Sequence, residues 1–164
     1  MAFWELYYHF VWSTKYRQDT ITAEIEPMIH NYLFSIASAI GATVHALNGI
    51  ENHIHLVASV PPRLAIAQFM AKVKGESSVR FNKQFPSDEP FRWQKSYGVF
   101  STDRKRLPYV VRYVVQQKEH HGRNEVIPIL ERTDEEEVQQ QTLHEPARSY
   151  IADYDDWWNY MVRL

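Results

Sequence analysis

The chain has 164 residues, 45% of them hydrophobic and 23% charged, the balance of a globular protein built on one main core. It contains no cysteine, which excludes disulfides, thiolate metal sites and a cysteine nucleophile. No uncharged apolar run reaches the ~18 residues of a membrane span, and Met1-Ala2-Phe3-Trp4-Glu5 lacks the basic start and apolar core of an export signal, so a cytoplasmic protein without membrane attachment is expected. The charge is uneven. Residues 1–62 carry 2 basic against 5 acidic side chains, net −3; residues 63–123 carry 13 against 5, net +8; residues 125–164 carry 3 against 10, net −7. A basic middle beside an acidic end points to a polyanionic partner for the middle.

In chain order, the aromatic and β-branched run 5–13 reads as a buried strand. Residues 27–40 place Met28, Ile29, Tyr32, Leu33, Ile36 and Ile40 at helical spacing, with Pro27 in the first turn and Gly41 at the end. Residues 43–50 and 53–60 form a predicted hairpin that Pro61-Pro62 stops. Residues 64–84 read as a helix with Ile66, Phe69, Met70 and Val73 on one stripe and Lys72, Lys74, Arg80 and Lys83 around it. Residues 91–100 alternate as a fourth strand, and 105–121 form a third helix with Leu107, Val110, Val111, Val114 and Val115 on one face. The order β-α-β-β-α-β-α predicts an α+β fold. Its first six elements make a ferredoxin-like split β-α-β unit, an antiparallel sheet with helices on one face. The domain is expected to span 1–124. Residues 125–164 form an acidic extension ending in an aromatic segment from 147 that would dock on the domain or on a second subunit.

Two stretches carry chemistry. In Asn52-His53-Ile54-His55-Leu56, residues two apart on a strand share a face, so His53 and His55 project together as half a metal site. In the third helix, with Leu107 at zero, the valine stripe centres near ~10° while Tyr113 falls near ~240° and Gln117 near ~280°. That predicts a semi-exposed Tyr113 beside a ligating amide. A divalent cation held by such groups would polarise a phosphodiester for attack by the tyrosine hydroxyl. Manganese accepts imidazole more readily than magnesium does.

Five stretches, in order, resemble the small single-tyrosine HUH transposases, which move insertion sequences as single-stranded DNA. They are Phe10-Val11-Trp12-Ser13-Thr14-Lys15-Tyr16-Arg17, Asn52-His53-Ile54-His55-Leu56, Val73-Lys74-Gly75-Glu76-Ser77-Ser78, Phe91-Arg92-Trp93-Gln94-Lys95-Ser96-Tyr97, and Tyr113 with Gln117 and His120-His121. The resemblance spans roughly 5–123. It implies that His53, His55 and Gln117 bind Mg²⁺ or Mn²⁺, and that Tyr113 forms a 5′-phosphotyrosine and releases a 3′-hydroxyl. It also implies a homodimer acting on single-stranded DNA with subterminal hairpins, in which the tyrosine helix of one subunit can complete the histidine pair of the other. Lys15, Arg17, Lys72, Lys74, Arg80, Lys83, Arg104, Lys105 and Arg106 are the expected DNA contacts. The strand 5–13 is the expected pairing surface of the dimer.

Three other readings remain open at this point. A domesticated relative would act on repeated chromosomal palindromes. A zinc hydrolase would use His53, His55 and a histidine from His120-His121. A binding module of the same fold would not need Tyr113, His53, His55 and Gln117 together.

Overall fold

The computed structural model describes residues 2–133; the acidic run beyond them and the aromatic segment from 147 lie outside the described residues. The strands are β1 (Tyr7–Ser13), β2 (Thr43–Ile50), β3 (His53–Ser59) and β4 (Gly98–Thr102). They form one sheet in the order β2-β3-β1-β4, with every neighbouring pair antiparallel. The helices are α1 (Glu26–Ala39), α2 (Ile66–Gln84), α3 (Leu107–Val115) and α4 (Gln117–Arg123). This is the expected split β-α-β arrangement with a tyrosine-bearing helix added.

Local chemistry explains most of the boundaries. Pro27 occupies the first turn of α1, where its missing N–H costs nothing. Gly41 ends that helix at φ 96°, a conformation that side chains resist. On the surface of α2, Lys72 and Arg80 each pair with Glu76 one turn away. The strand 5–13 lies between β3 and β4, so its edges are already paired. The sheet edges are β2 and β4, and the expectation that 5–13 offers a free pairing surface is corrected.

The strand expected at 91–100 is mostly loop. Trp93 makes a single bridge to Thr14, and the ladder begins at Gly98. The loop is tied to α2. Lys74 Nζ donates to the carbonyls of Lys95 at 3.0 Å and Ser96 at 2.8 Å, and Trp93 Nε1 donates to Ser77 Oγ at 2.9 Å. Carbonyls bonded to an ammonium are unavailable to a neighbouring strand.

Strand alternation gives the sheet two unlike faces. On one, Phe10, Trp12, Ile54, Leu56 and Ala58 pack with Ile29, Leu33 and Ile36 of α1 and Phe69, Met70 and Val73 of α2 into an apolar core. Each Phe, Leu, Ile, Met or Val among them contributes roughly 1.5–3 kcal/mol on burial. On the other, Val57 of β3 and Ala46 of β2 meet Val110, Tyr113 and Val114 of α3. Ile127 and Leu130 belong to that second cluster, so the chain keeps packing beyond residue 124. A 3-10 turn at Pro128–Glu131 brings it back beside the sheet.

Candidate active site

His53 and His55 project from β3 onto the second face, as the alternation predicts, with Ile54 and Leu56 in the apolar core. Both rings are buried, His55 completely. Each has its Nδ1 occupied. His53 Nδ1 lies 2.8 Å from Asn52 Oδ1, and Asn52 Nδ2 in turn donates to Asp19 at 2.8 Å. His55 Nδ1 lies 2.8 Å from His9 Nε2. An amide oxygen can only accept, so His53 carries a proton on Nδ1 and turns its Nε2 outward. His55 turns its Nε2 the same way. Burial lowers the pKa of His9 and His55, and the nearness of the two rings lowers His9 further. The direction for His9 and His55 is toward the neutral imidazole, the form that binds metal.

The tyrosine helix departs from its wheel. The expected helix 105–121 is two helices, broken at Gln116, whose φ/ψ of −94°/17° is not helical. Tyr113 is 1% exposed and Gln117 fully buried, whereas Val115 is 60% exposed. The buried stripe runs through 110, 113, 114 and 117, roughly 80° from the centre of the valine stripe. The valines marked an apolar direction, but α3 rolls to turn its polar side chains toward the histidines. Tyr113 is then closed in. His120 stacks on its ring at 5.1 Å, and the backbone N–H of Ile127 donates to its hydroxyl at 3.1 Å. The expectation of a semi-exposed Tyr113 is corrected by this returning segment, which no helical wheel contains.

That segment delivers Glu131, which sequence reasoning missed. Its Oε2 lies 3.0 Å from His53 Nε2, 3.2 Å from His55 Nε2 and 3.5 Å from His121 Nε2. Its Oε1 accepts from the Tyr113 hydroxyl at 2.5 Å and from Gln117 Nε2 at 3.5 Å. Ligand atoms of His53, His55 and Glu131 all lie within 4.8 Å of one another. The surrounding imidazoles hold the Glu131 carboxyl far below the usual carboxylate range against the opposing effect of burial. Burial first, and then the Glu131 charge, push the Tyr113 hydroxyl far above its ordinary value. The proton therefore rests on tyrosine.

The donor set fits a divalent cation. His53 Nε2 and Gln117 Oε1 are buried without a hydrogen-bond partner, although Glu131 is close to the first. Two imidazoles, a carboxylate and an amide oxygen suit manganese, and magnesium less readily.

The basic residues sit in different settings. Lys72, Arg80, Arg104 and Arg106 make surface ion pairs with Glu76, Glu5 and Asp103, each weak enough to exchange for phosphate. Lys83 and Lys105 are exposed. Lys15 sits over the Tyr16 ring at 4.9 Å, and Arg17 Nη2 donates to Thr133 Oγ1 at 3.1 Å. Tyr16 and Arg17 both hold positive φ, which fixes this basic turn in a strained form. Lys74 departs from the expectation of a solvent-facing cation. It is 8% exposed and held by the two loop carbonyls, and burial lowers its pKa to about 8.

Known proteins resemble this chain in sequence and in fold. Residues 2–117 match the family described as transposase IS200 like. The ISDra2 transposase TnpA of Deinococcus radiodurans is 26% identical over 119 residues, covering 70% of this chain and 85% of that protein. The transposase for insertion sequence element IS200 of Salmonella typhimurium is 26% identical over 132 residues, covering 77% and 86%. Among solved structures, a Deinococcus radiodurans protein assigned as a transposase superposes with a TM-score of 0.58 at 26% identity, covering 71% of this chain and 93% of that one. A REP-associated tyrosine transposase bound to a REP hairpin superposes with a TM-score of 0.56 at 11% identity, covering 77% and 76%, a likeness of fold. With the family match running from the start of the sheet to Gln117, the chain belongs to the IS200-like transposases.

Proposed function

We propose that the protein cuts and rejoins hairpin-bearing single-stranded DNA through a 5′-phosphotyrosine on Tyr113, acting as a homodimer in the cytoplasm. The observation that carries this is convergence. A tyrosine hydroxyl from α3, an amide from α4 and two imidazoles from β3 meet at one carboxylate. A binding module has no use for that set.

His53, His55 and Gln117 would hold Mg²⁺ or Mn²⁺, which polarises a phosphate oxygen and stabilises charge developing on it. The chain's own groups do the rest. Asn52 and His9 hold the Nδ1 atoms of the two imidazoles and so orient the rings. The Tyr113 oxygen attacks phosphorus, the P–O3′ bond breaks, and the 3′ oxygen leaves and takes up a proton as a hydroxyl. The tyrosine proton has an acceptor in Glu131 Oε1 at 2.5 Å. The phosphotyrosine conserves the diester bond, so a second 3′-hydroxyl reverses the step and frees the tyrosine. His120, stacked on Tyr113, and the N–H of Ile127 position the ring and its oxygen. Exposed Lys83 and Lys105 and the exchangeable ion pairs of Lys72, Arg80, Arg104 and Arg106 supply sequence-independent backbone affinity.

The test is covalent. With a hairpin-bearing single strand and Mn²⁺, the protein should become attached to the 5′ side of the cut at Tyr113, mapped by peptide mass spectrometry. Tyr113→Phe should lose the adduct and keep hairpin binding, while Tyr109→Phe, one turn away, should still form it. Free 5′-phosphate ends without an adduct would favour metal-assisted hydrolysis instead, and an adduct on Tyr109 would overturn the assignment.

A further inference from the structure

Glu131 stands outside the stretches that carry the resemblance, and outside residues 2–117 that match the family. It is nevertheless the centre of the cluster. Its two oxygens are divided. Oε2 faces the Nε2 atoms of His53, His55 and His121, and Oε1 faces Tyr113 and Gln117. The ligand atoms of His53, His55 and Glu131 lie within 4.8 Å of one another, and Gln117, whose amide meets the same carboxylate, keeps its buried Oε1 without a hydrogen-bond partner. Imidazole nitrogens, a carboxylate oxygen and an amide oxygen gathered in one buried spot are the donor types that a single divalent cation takes.

The segment is also built to hold the residue. Ile127, just before the turn, and Leu130, within it, are buried in the second cluster. Arg132 runs so close to β4 that a Cβ on Gly98 would lie 2.0 Å from its carbonyl oxygen. Thr133 is fully buried and accepts from Arg17. Backbone anchored on both sides places the carboxylate with little freedom, as a ligand requires.

We propose that Glu131 is a protein ligand of the divalent cation, joining His53 and His55 as the carboxylate of the set. This rests on the metal-dependent reading above and extends it. An anionic oxygen donor adds the charge that two imidazoles and an amide lack, and shifts the site toward oxygen-preferring Mg²⁺ and Mn²⁺. Because the other oxygen of the same carboxylate bonds Tyr113, one side chain sets the distance between cation and nucleophile.

The experiment measures Mn²⁺ binding to the full chain without DNA, by calorimetry and by the electron paramagnetic resonance signal of free Mn²⁺. Glu131→Gln keeps the volume and removes the charge. It should weaken Mn²⁺ binding at least about tenfold, the scale on which even outer partners of metal ligands act. His55→Ala should weaken it as much or more. Glu125→Gln, at an exposed acidic position nearby, should bind as the parent does, which separates ligation from general attraction. Glu131→Asp, which keeps the charge but shortens the reach, should bind more weakly than the parent, and serves if Glu131→Gln does not fold by circular dichroism. If His55→Ala loses Mn²⁺ while both Glu131 variants bind like the parent, this inference fails and the metal reading stands. Tighter binding by Glu131→Gln would show a carboxylate that competes with the cation and would likewise overturn it. If His55→Ala itself binds like the parent, the metal reading falls first.

Discussion

The two faces of the sheet are cut from the same strands and differ in what they bury. Phe10, Trp12, Ile54 and Leu56 face α1 and α2 in a dry apolar cluster. Their immediate neighbours His9, His53 and His55 are equally buried on the other face, with Tyr113 and Gln117. The first face gains the hydrophobic free energy that stabilises the fold. The second spends part of it, because buried imidazoles, an amide and a carboxylate lose hydration that their mutual contacts only partly replace. A protein keeps such a face when the groups act together, so the contrast separates the half that holds the fold from the half that gathers the candidate site.

The sharpest way to break that contrast is one substitution on each side of β3. His55→Ala should abolish Mn²⁺-dependent cleavage and adduct formation, read on a denaturing gel. Its melting temperature should change little, since removing a buried imidazole also removes its desolvation cost. Leu56→Ala, one residue away, should cost about 2–5 kcal/mol in a denaturant titration, and its active site should work normally at low temperature while the protein is folded. Equal stability losses for the two would contradict the division.

A smaller effect is expected where the returning segment meets the sheet. Gly98→Ala puts a Cβ 2.0 Å from a backbone oxygen of Arg132, which must move. Overpacking of this kind costs about 1–3 kcal/mol, and because Glu131 lies next to the displaced residue, cleavage should fall more than stability does. Normal cleavage with a normal melting curve would show that the segment does not position the site.

The acidic end tests the charge asymmetry. Residues 134–164 carry 2 basic and 8 acidic side chains, net −6. Ending the chain after Thr133 leaves Ile127, Leu130 and Glu131 in place and should raise affinity for random single-stranded DNA by a few-fold at low salt. The gain should vanish as salt screens it. Ending it after Asn124 instead strips the cover from Tyr113 and should destabilise the domain, separating electrostatic restraint from packing.

The smallest effect is a pH slope. Lys74 has its pKa lowered to about 8 by burial, so between about pH 8 and 10.4 the unfolded chain binds more protons than the folded one. Stability therefore gains a rising contribution with pH across that window, complete above the unfolded value. Lys74→Met should lack this slope in denaturant titrations at pH 8 and 10. It should also lose the tether of the 92–97 loop, at a cost of about 1–2 kcal/mol for the carbonyl bonds. Identical pH slopes in the two proteins would show that the ammonium is solvated.

What could be read from the sequence follows from the range of the physics. Period-two alternation is local, so His53 and His55 on one face and Ile54 and Leu56 on the other were determined by the sequence itself. The hairpin and both long helices, α1 and α2, were legible in the same way, from periodicity and from proline and glycine punctuation. The Tyr113–Gln117 pairing was legible too, since four residues is one helical turn. The roll of α3 was not, because valines report the apolar direction and not which side meets a polar cluster on another element. Nor was the loop at 94–96, whose carbonyls are claimed by a lysine some twenty residues earlier. His9 read as one more residue of an aromatic strand, and Glu131 as one acid of the extension over 125–164. Both became site residues through contacts spanning 46 and 76 residues to His55. Local forces chose the elements and their faces, whereas closing those distant contacts needed the assembled sheet, because only its packing brings the ends of such long loops together.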